Sequence, residues 1–226
     1  MTFKIGAHEL SAPVVLAPMA GVTNAPFREL CRRYAPGLVY VNEMAMATPV
    51  VHKNAKTDRM ISFGPDEQPR SQQLYGSDPE IMGRAVHILC DAGRVDHIDI
   101  NFGCPAKTVN RSDGGAILLR EPLRVGAIAA AVRRAVPASI PVTAKIRLGF
   151  EDRSPFLDNV RALADAGVDE LAIHARTRSD GYKPPAWWDE IARAVELVDF
   201  PVIANGEIWS PDDSRRARAA SHCADL

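Results

Sequence analysis

Residues 97–100, His97-Ile98-Asp99-Ile100, lead directly into Asn101-Phe102-Gly103-Cys104-Pro105. A short apolar-rich run that ends on a polar residue and a Gly/Pro turn reads as a buried parallel strand with a loop at its C-terminal end. Gly103 permits a tight turn and Pro105 stiffens the exit, so the Cys104 side chain is held at the strand's mouth. Runs of the same form lie at 13–17, 38–41, 72–75, 140–146, 170–173 and 201–204. Amphipathic stretches separate them. Asp78-Pro79, Ser154-Pro155 and Ser210-Pro211 each place a capping oxygen before a proline at the first helical position, and Asn24 caps similarly ahead of Pro26. Within 122–136, Val125, Ile128, Ala129, Val132 and Val136 make one apolar helical face, and Gly93 and Gly167 stand where helices should stop.

Strand–helix alternation without a run of hairpins implies a parallel α/β fold. An open doubly wound sheet would show G-x-G-x-x-G after its first strand. Here the first strand leads into Pro18-Met19-Ala20-Gly21-Val22-Thr23, which lacks that spacing. A (β/α)8 TIM barrel is favoured because successive late strands end in Asn101, Lys145, His174 and Asn205, and barrel active sites sit at the C-terminal ends of several strands. Seven strands are legible, ending near 18, 41, 75, 100, 146, 174 and 204. A closed barrel needs eight. The last helix leads into Ala224-Asp225-Leu226, where an eighth strand would only be starting, so the barrel is expected to be cut short.

The rest of the composition bounds the function. The 226 residues suit one large domain or two small ones, and no linker or repeat marks a second. Lys and Arg number 27 against 28 Asp and Glu, which excludes a polybasic nucleic-acid coat while leaving room for a local basic patch. A balance of 46% hydrophobic and 24% charged residues excludes a disordered chain, a collagen-like fibre or a coiled coil. Cys31, Cys90, Cys104 and Cys223 form no CxxC and no Cys/His pair at ligand spacing, so no metal is expected. No run of about eighteen apolar residues spans a membrane, and the N-terminal segment has no apolar leader. A cytoplasmic protein with reduced thiols is the expectation.

The chemistry gathers at the strand ends. Cys104 is either a positioned thiol or a small buried hydrophobe; Cys31 and Cys90 sit at apolar helix positions and read as structural. A lysine closing a buried strand, as Lys145 does, needs an anionic partner or a ligand. His174, next to Arg176, and the Asn205-Gly206-Glu207 turn suit a phosphate group, while Gly114-Gly115 is a weaker signal. Together they describe a mouth with a phosphate end, a lysine and a thiol, which fits a phosphorylated cofactor with an acid beside it.

Ala17-Pro18-Met19-Ala20-Gly21-Val22-Thr23, Gln73-Leu74-Tyr75-Gly76, Asn101-Phe102-Gly103-Cys104-Pro105, Lys145-Ile146-Arg147, His174-Ala175-Arg176-Thr177 and Asn205-Gly206-Glu207-Ile208 resemble, in order, the tRNA-dihydrouridine synthases. Lys107-Thr108-Val109-Asn110, Gly181-Tyr182 and Gly206-Glu207-Ile208-Trp209 look most like the branch that modifies position 16 of the D-loop, and the N-terminal segment more like the branch for position 17. The resemblance implies an FMN enzyme that uses NADPH to reduce a flipped-out tRNA uridine. On that resemblance Pro18, Met19 and Ala20 lie along the flavin, Gln73 and Lys145 hydrogen-bond its ring, and His174 with Asn205, Gly206 and Glu207 holds its phosphate. Cys104 protonates C5 of the uracil, and Asn101 and Arg147 reach the uracil edge. Tyr182, an aromatic near the mouth, is placed to pack on the extruded base. Ordinary thiols are mostly protonated at neutral pH, which suits an acid.

The family continues into a Gly-Arg-Gly segment on strand eight and a C-terminal helical tRNA-binding domain. Both are missing from residues 1–226, which are expected to be an incomplete FMN-binding barrel, monomeric, with a local patch from Arg32, Arg33, Arg111, Arg176 and Arg178. The rival readings are a free-pyrimidine FMN oxidoreductase of the dihydroorotate or dihydropyrimidine dehydrogenase type, and an inactive barrel fragment.

Overall fold

A computed structural model describes residues 3–223. The chain opens on an antiparallel hairpin, β1 (Phe3–Ile5) and β2 (His8–Leu10), turning at Gly6 with φ 55°. No element was expected here. The signal was Phe3 and Ile5 alternating with Lys4 ahead of Gly6-Ala7.

Strands and helices then alternate: β3 (Val15–Leu16), α1 (Ala25–Tyr34), β4 (Val39–Met46), α2 (Ala47–Val51), α3 (Ala55–Met60), β5 (Ser71–Tyr75) and α4 (Pro79–Asp91). After these come β6 (His97–Asn101), α5 (Lys107–Asn110), a 3₁₀ turn (Gly115–Arg120), α6 (Pro122–Ala135), β7 (Val142–Arg147) and α7 (Phe156–Asp165). The chain finishes with β8 (Glu170–His174), α8 (Trp188–Val195), β9 (Val202–Asn205) and α9 (Pro211–Ser221). The seven expected strands form one parallel sheet in the order β3-β4-β5-β6-β7-β8-β9. Every strand neighbours the next in sequence, so the winding never reverses. That order is the barrel's; a doubly wound sheet would switch direction at its first strand. Ala224-Asp225-Leu226, where an eighth strand was expected to start, lie outside the described residues.

Local chemistry explains most helix boundaries. The side chains of Asn24, Asp78 and Ser210 accept from the amides of Phe27, Ile81 and Asp213. Gly93 and Gly167 follow α4 and α7 at φ 59° and 79°. Ser154 is a correction: α7 starts at Phe156 with Pro155 as its N-cap, because Asp152 captures both the amide and the hydroxyl of Ser154. A second correction concerns β4, which continues to Met46 rather than ending at Val41. The polar Asn42 hid this continuation. It is fully buried, with Nδ2 donating to Gln72 Oε1 at 2.8 Å and Oδ1 accepting from Arg28 Nη1 at 2.6 Å. A buried amide so satisfied is no strand breaker.

The core lies between sheet and helices. Ile98, Ile100, Ala144, Ile146, Leu171 and Ile173 face outward onto Val86, Leu89, Ile128, Val132, Val160 and Leu163, all essentially inaccessible to solvent. The inward faces alternate with these and are polar over much of β5, β6 and β7, where many barrels carry bulky aliphatics. Ile5 of the hairpin packs on Val39 and Val41, and Gly6 abuts Pro141 ahead of β7, so the hairpin covers the N-terminal end of the sheet.

Arg28 of α1 is fully buried. Nε donates to Glu67 Oε1 at 2.6 Å, Nη1 to Thr23 O and Asn42 Oδ1, and Nη2 to Ser62 O at 2.8 Å. One guanidinium thereby ties the loop after β3 to β4 and to the 62–67 segment.

Candidate active site

Parallel register lines up the strand ends. Asn101 stands opposite Lys145, Arg147 opposite His174, and His174 opposite Asn205. Lys145 Nζ donates to Asn205 Oδ1 at 2.9 Å. Burial lowers the Lys145 amine to about 8, with the Asp99 charge opposing and Arg147 adding to the shift. Burial, then the positive charges of Arg147, Lys145 and Arg176, depresses His174 to about 2, so its imidazole is neutral.

The 205–207 turn is shaped by one glycine. Gly206 has φ 109°, and a Cβ there would lie 2.8 Å from His174 Cδ2, so only glycine lets the chain pass the ring. Trp188 Nε1 donates to Gly206 O at 2.8 Å and fixes the turn. Among the described residues, the amides of Gly206, Glu207 and Ile208 donate to no protein acceptor. The Glu207 carboxylate pairs with Arg176, so this loop presents backbone amides rather than that side chain.

Cys104 is held by its backbone. Asn101 Oδ1 accepts from the amides of Gly103 at 3.1 Å and Cys104 at 2.9 Å. The Cys104 carbonyl accepts from Asn110 Nδ2 and the Ala116 amide, each at 3.0 Å. Gly115, at φ 68°, packs so closely that a Cβ would stand 2.8 Å from Cys104 O and 3.0 Å from Cys104 Cβ. The residue as a whole is half-buried. The sequence marked the turn but not the roles of Asn110 and Gly115, whose traces were Lys107-Thr108-Val109-Asn110, read only for its likeness to one branch, and the weak Gly114-Gly115 signal. Cys90, in contrast, lies on α4, its thiol pushed up to about 11 by burial and by Asp91, as expected of a structural cysteine.

Other expected residues are placed as follows. Gln73 is buried, with Nε2 donating to Asp99 Oδ2 at 2.6 Å and Oε1 accepting from Asn101 Nδ2 at 2.8 Å. Pro18 lines an interior cavity of about 40 Å³ together with Asp99, Lys145 and Asn205. Met19 is exposed, and its amide donates to Thr23 Oγ1 at 3.0 Å, shaping the turn that carries Ala20. Arg147 is buried: Nε donates to Gly103 O, and Nη1 to Thr177 O and Gly181 O. Its guanidinium lies 5.2 Å from the Tyr182 ring centre, and that exposed ring lies 6.0 Å from His174. In the expected basic patch, Arg176 is buried against Glu207 and Arg32 pairs with Glu67, whereas Arg33 and Arg111 are exposed. The mouth thus joins a cation, a neutral imidazole and unengaged amides, which suit an anionic ring and a phosphate, to a cysteine on a firmly held backbone turn.

A protein-family model described as Dihydrouridine synthase (Dus) matches residues 15–226. The tRNA-dihydrouridine(16) synthases of Aquipseudomonas alcaligenes and Pseudomonas syringae pv. tomato are each 44% identical over 219 residues, covering 94% of this chain and 69% of their own length. A probable tRNA-dihydrouridine synthase of Mycobacterium tuberculosis is 41% identical over 229 residues; 97% of this chain is covered and 59% of that protein. Among solved structures, one described as the Amycolatopsis orientalis BexX/CysO complex superposes with a TM-score of 0.51 at 16% identity. That match covers 98% of this chain and 81% of the other, a likeness of fold alone.

Proposed function

The chain belongs to the dihydrouridine synthase family, and from that premise we propose that it reduces the C5–C6 double bond of a D-loop uridine in tRNA, with FMN as cofactor, NADPH as reductant and Cys104 as proton donor to C5. The observation that carries this reading is the Cys104 turn: a cysteine whose backbone is fixed by Asn101, Asn110 and Gly115 at a strand end that stands opposite Lys145. The chain's likeness to tRNA-dihydrouridine(16) synthases favours position 16 as the target.

FMN suits the residues present. Gly206 leaves a cradle that a Cβ would fill, and the neighbouring amides are unengaged among the described residues. His174, Asn205, Gly206 and Glu207 would hold the phosphate, the last two through their amides. Lys145 would supply positive charge to the ring, and Gln73 the Nε2 hydrogen left over from its bond to Asp99. Pro18, Met19 and Ala20 would line one face. When bound, the flavin supplies hydride, drawn from NADPH, to C6 of the uracil.

The chain's own residues do the rest. Cys104 holds a proton on Sγ and delivers it to C5, where negative charge develops beside a carbonyl. Asn101 has committed Oδ1 to the turn and one Nδ2 hydrogen to Gln73 Oε1, which leaves its second Nδ2 hydrogen for the uracil edge. Arg147 braces the same turn through Gly103 O and supports Tyr182, whose exposed ring offers a stacking surface for the extruded base.

Lys145→Met keeps the side chain's length and removes its charge. FMN affinity is expected to fall about tenfold or more, the worth of one charge-assisted hydrogen bond. The flavin's reduction potential should fall with it, because the anionic reduced form loses its cation. Fluorescence titration and spectroelectrochemistry read both, and unchanged values would remove Lys145 from the flavin site.

A further inference from the structure

Below the mouth, the inward-facing polar residues form one continuous hydrogen-bonded chain. Ser71 Oγ lies 2.7 Å from His97 Nδ1, His97 Nε2 lies 2.9 Å from Thr143 Oγ1, and Thr143 Oγ1 lies 2.6 Å from Asp99 Oδ1. From the other side Gln73 Nε2 meets Asp99 Oδ2 at 2.6 Å, and Asn101 Nδ2 meets Gln73 Oε1 at 2.8 Å. All of these residues are buried.

The direction of the upper half follows from its end. The Gly103 and Cys104 amides can only donate, so the Asn101 atom they face is oxygen. Asn101 then turns its amide nitrogen to Gln73, and Gln73 turns its own to Asp99. The lower half depends on the charge of Asp99. An ionised Asp99 must accept from Thr143, whose single proton is then used; Thr143 accepts from His97 Nε2–H, and Ser71 donates to His97 Nδ1. A protonated Asp99 would donate to Thr143 and reverse each of those bonds, leaving His97 with its proton on Nδ1.

We propose that Asp99 is ionised in the resting protein and is the positioning residue of the site, accepting from both halves of the chain and so fixing the Gln73–Asn101 pair that holds the Cys104 turn, while supplying the counter-charge to Lys145. Both of its contacts are short, as bonds to a charged acceptor are. Burial holds the carboxyl above its ordinary value, and the Thr143 and Gln73 bonds and the Lys145 charge limit that rise without cancelling it. Burial also lowers His97 to about 3, so its ring is neutral and its tautomer reads the charge of Asp99. Lys145 is faced by Asp99, Arg147, the neutral His174 and Asn205, with Glu170 lining the same cavity. The role in catalysis rests on the function proposed above, but the charge and direction of the chain do not.

The test uses the full chain labelled with ¹⁵N-histidine, without FMN or tRNA, so its failure is distinct from a failure of the proposed reaction. His97 is assigned by the signal lost in His97→Gln. In the wild type the Nε2–H tautomer should dominate by at least about tenfold. In Asp99→Asn the new amide must turn its oxygen to Gln73 and its nitrogen to Thr143, so the His97 preference should invert while the Cys104 amide resonance stays in place. The Lys145 amine should also lose its proton at lower pH in that variant. A wild-type His97 carrying its proton on Nδ1 would overturn the proposal by itself, whether or not the variant folds. A folded Asp99→Asn that keeps the wild-type tautomer, or leaves Lys145 titrating as before, would overturn it equally.

Discussion

Cys104→Ala is expected to lower dihydrouridine formation roughly 10²- to 10⁴-fold, the usual worth of a positioned general acid. FMN affinity and flavin reduction by NADPH should stay at wild-type values, because the role proposed for the thiol is on the uracil alone. The backbone contacts of residue 104 run through its amide and carbonyl, so alanine preserves the turn. This split separates a catalytic acid from a packing residue, whose loss would disturb flavin binding and folding as well. Single-turnover yield by mass spectrometry, beside an FMN titration, reads both halves. A normal yield would remove Cys104 from the chemistry.

The second large effect is on stability. Arg28→Ala should destabilise the protein by about 3 kcal/mol, since it leaves the buried Glu67 with only the partly exposed Arg32 as counter-charge among the described residues and strands the acceptors of Thr23, Asn42 and Ser62. Removing both charges, as in Arg28→Met with Glu67→Leu, should cost less than Arg28→Ala alone. Burial raises the Glu67 carboxyl, but hydrogen bonds from Arg28 and the Gly64 amide and the charges of Arg28 and Arg32 outweigh it and hold it below its ordinary value. The resulting stability is fully present above the unfolded glutamate's value of about 4.3. It is lost as pH falls through the lower folded value. Urea unfolding at neutral and acidic pH measures both the loss and its pH dependence, and a cost below about 1 kcal/mol would mean that the network does not brace the fold.

Much of the architecture was legible because it rests on short-range patterns. Apolar runs between capped helices marked all seven strands of the sheet, and the polar residues that ended them marked its mouth. The features that escaped depend on partners distant in sequence. Asn42 looked like a strand end until Arg28 and Gln72 satisfied it. Asp99 drew no separate reading within its apolar run, yet Gln73 and Thr143 make it the junction of the interior chain. Asn110 and Gly115 act on Cys104 through a carbonyl and a missing Cβ, and neither leaves a periodic trace. Ser154 carried a valid capping signal and lost to a nearer competitor, Asp152. Periodicity and capping thus locate elements, while charge pairing inside the sheet has to be seen in three dimensions.

The central claim is that one mouth joins a flavin to a thiol that protonates an RNA base. Its most direct measurement is dihydrouridine formed when the full chain, loaded with FMN and supplied with NADPH, meets tRNA lacking the modification, quantified by mass spectrometry with free uracil and orotate as parallel substrates. Dihydrouridine appearing in the D-loop, with no turnover of the free bases and none with Cys104→Ala, is the predicted result. Reduction of free uracil or orotate in preference to tRNA, or no reduction of tRNA by protein that binds FMN and accepts electrons from NADPH, would contradict it.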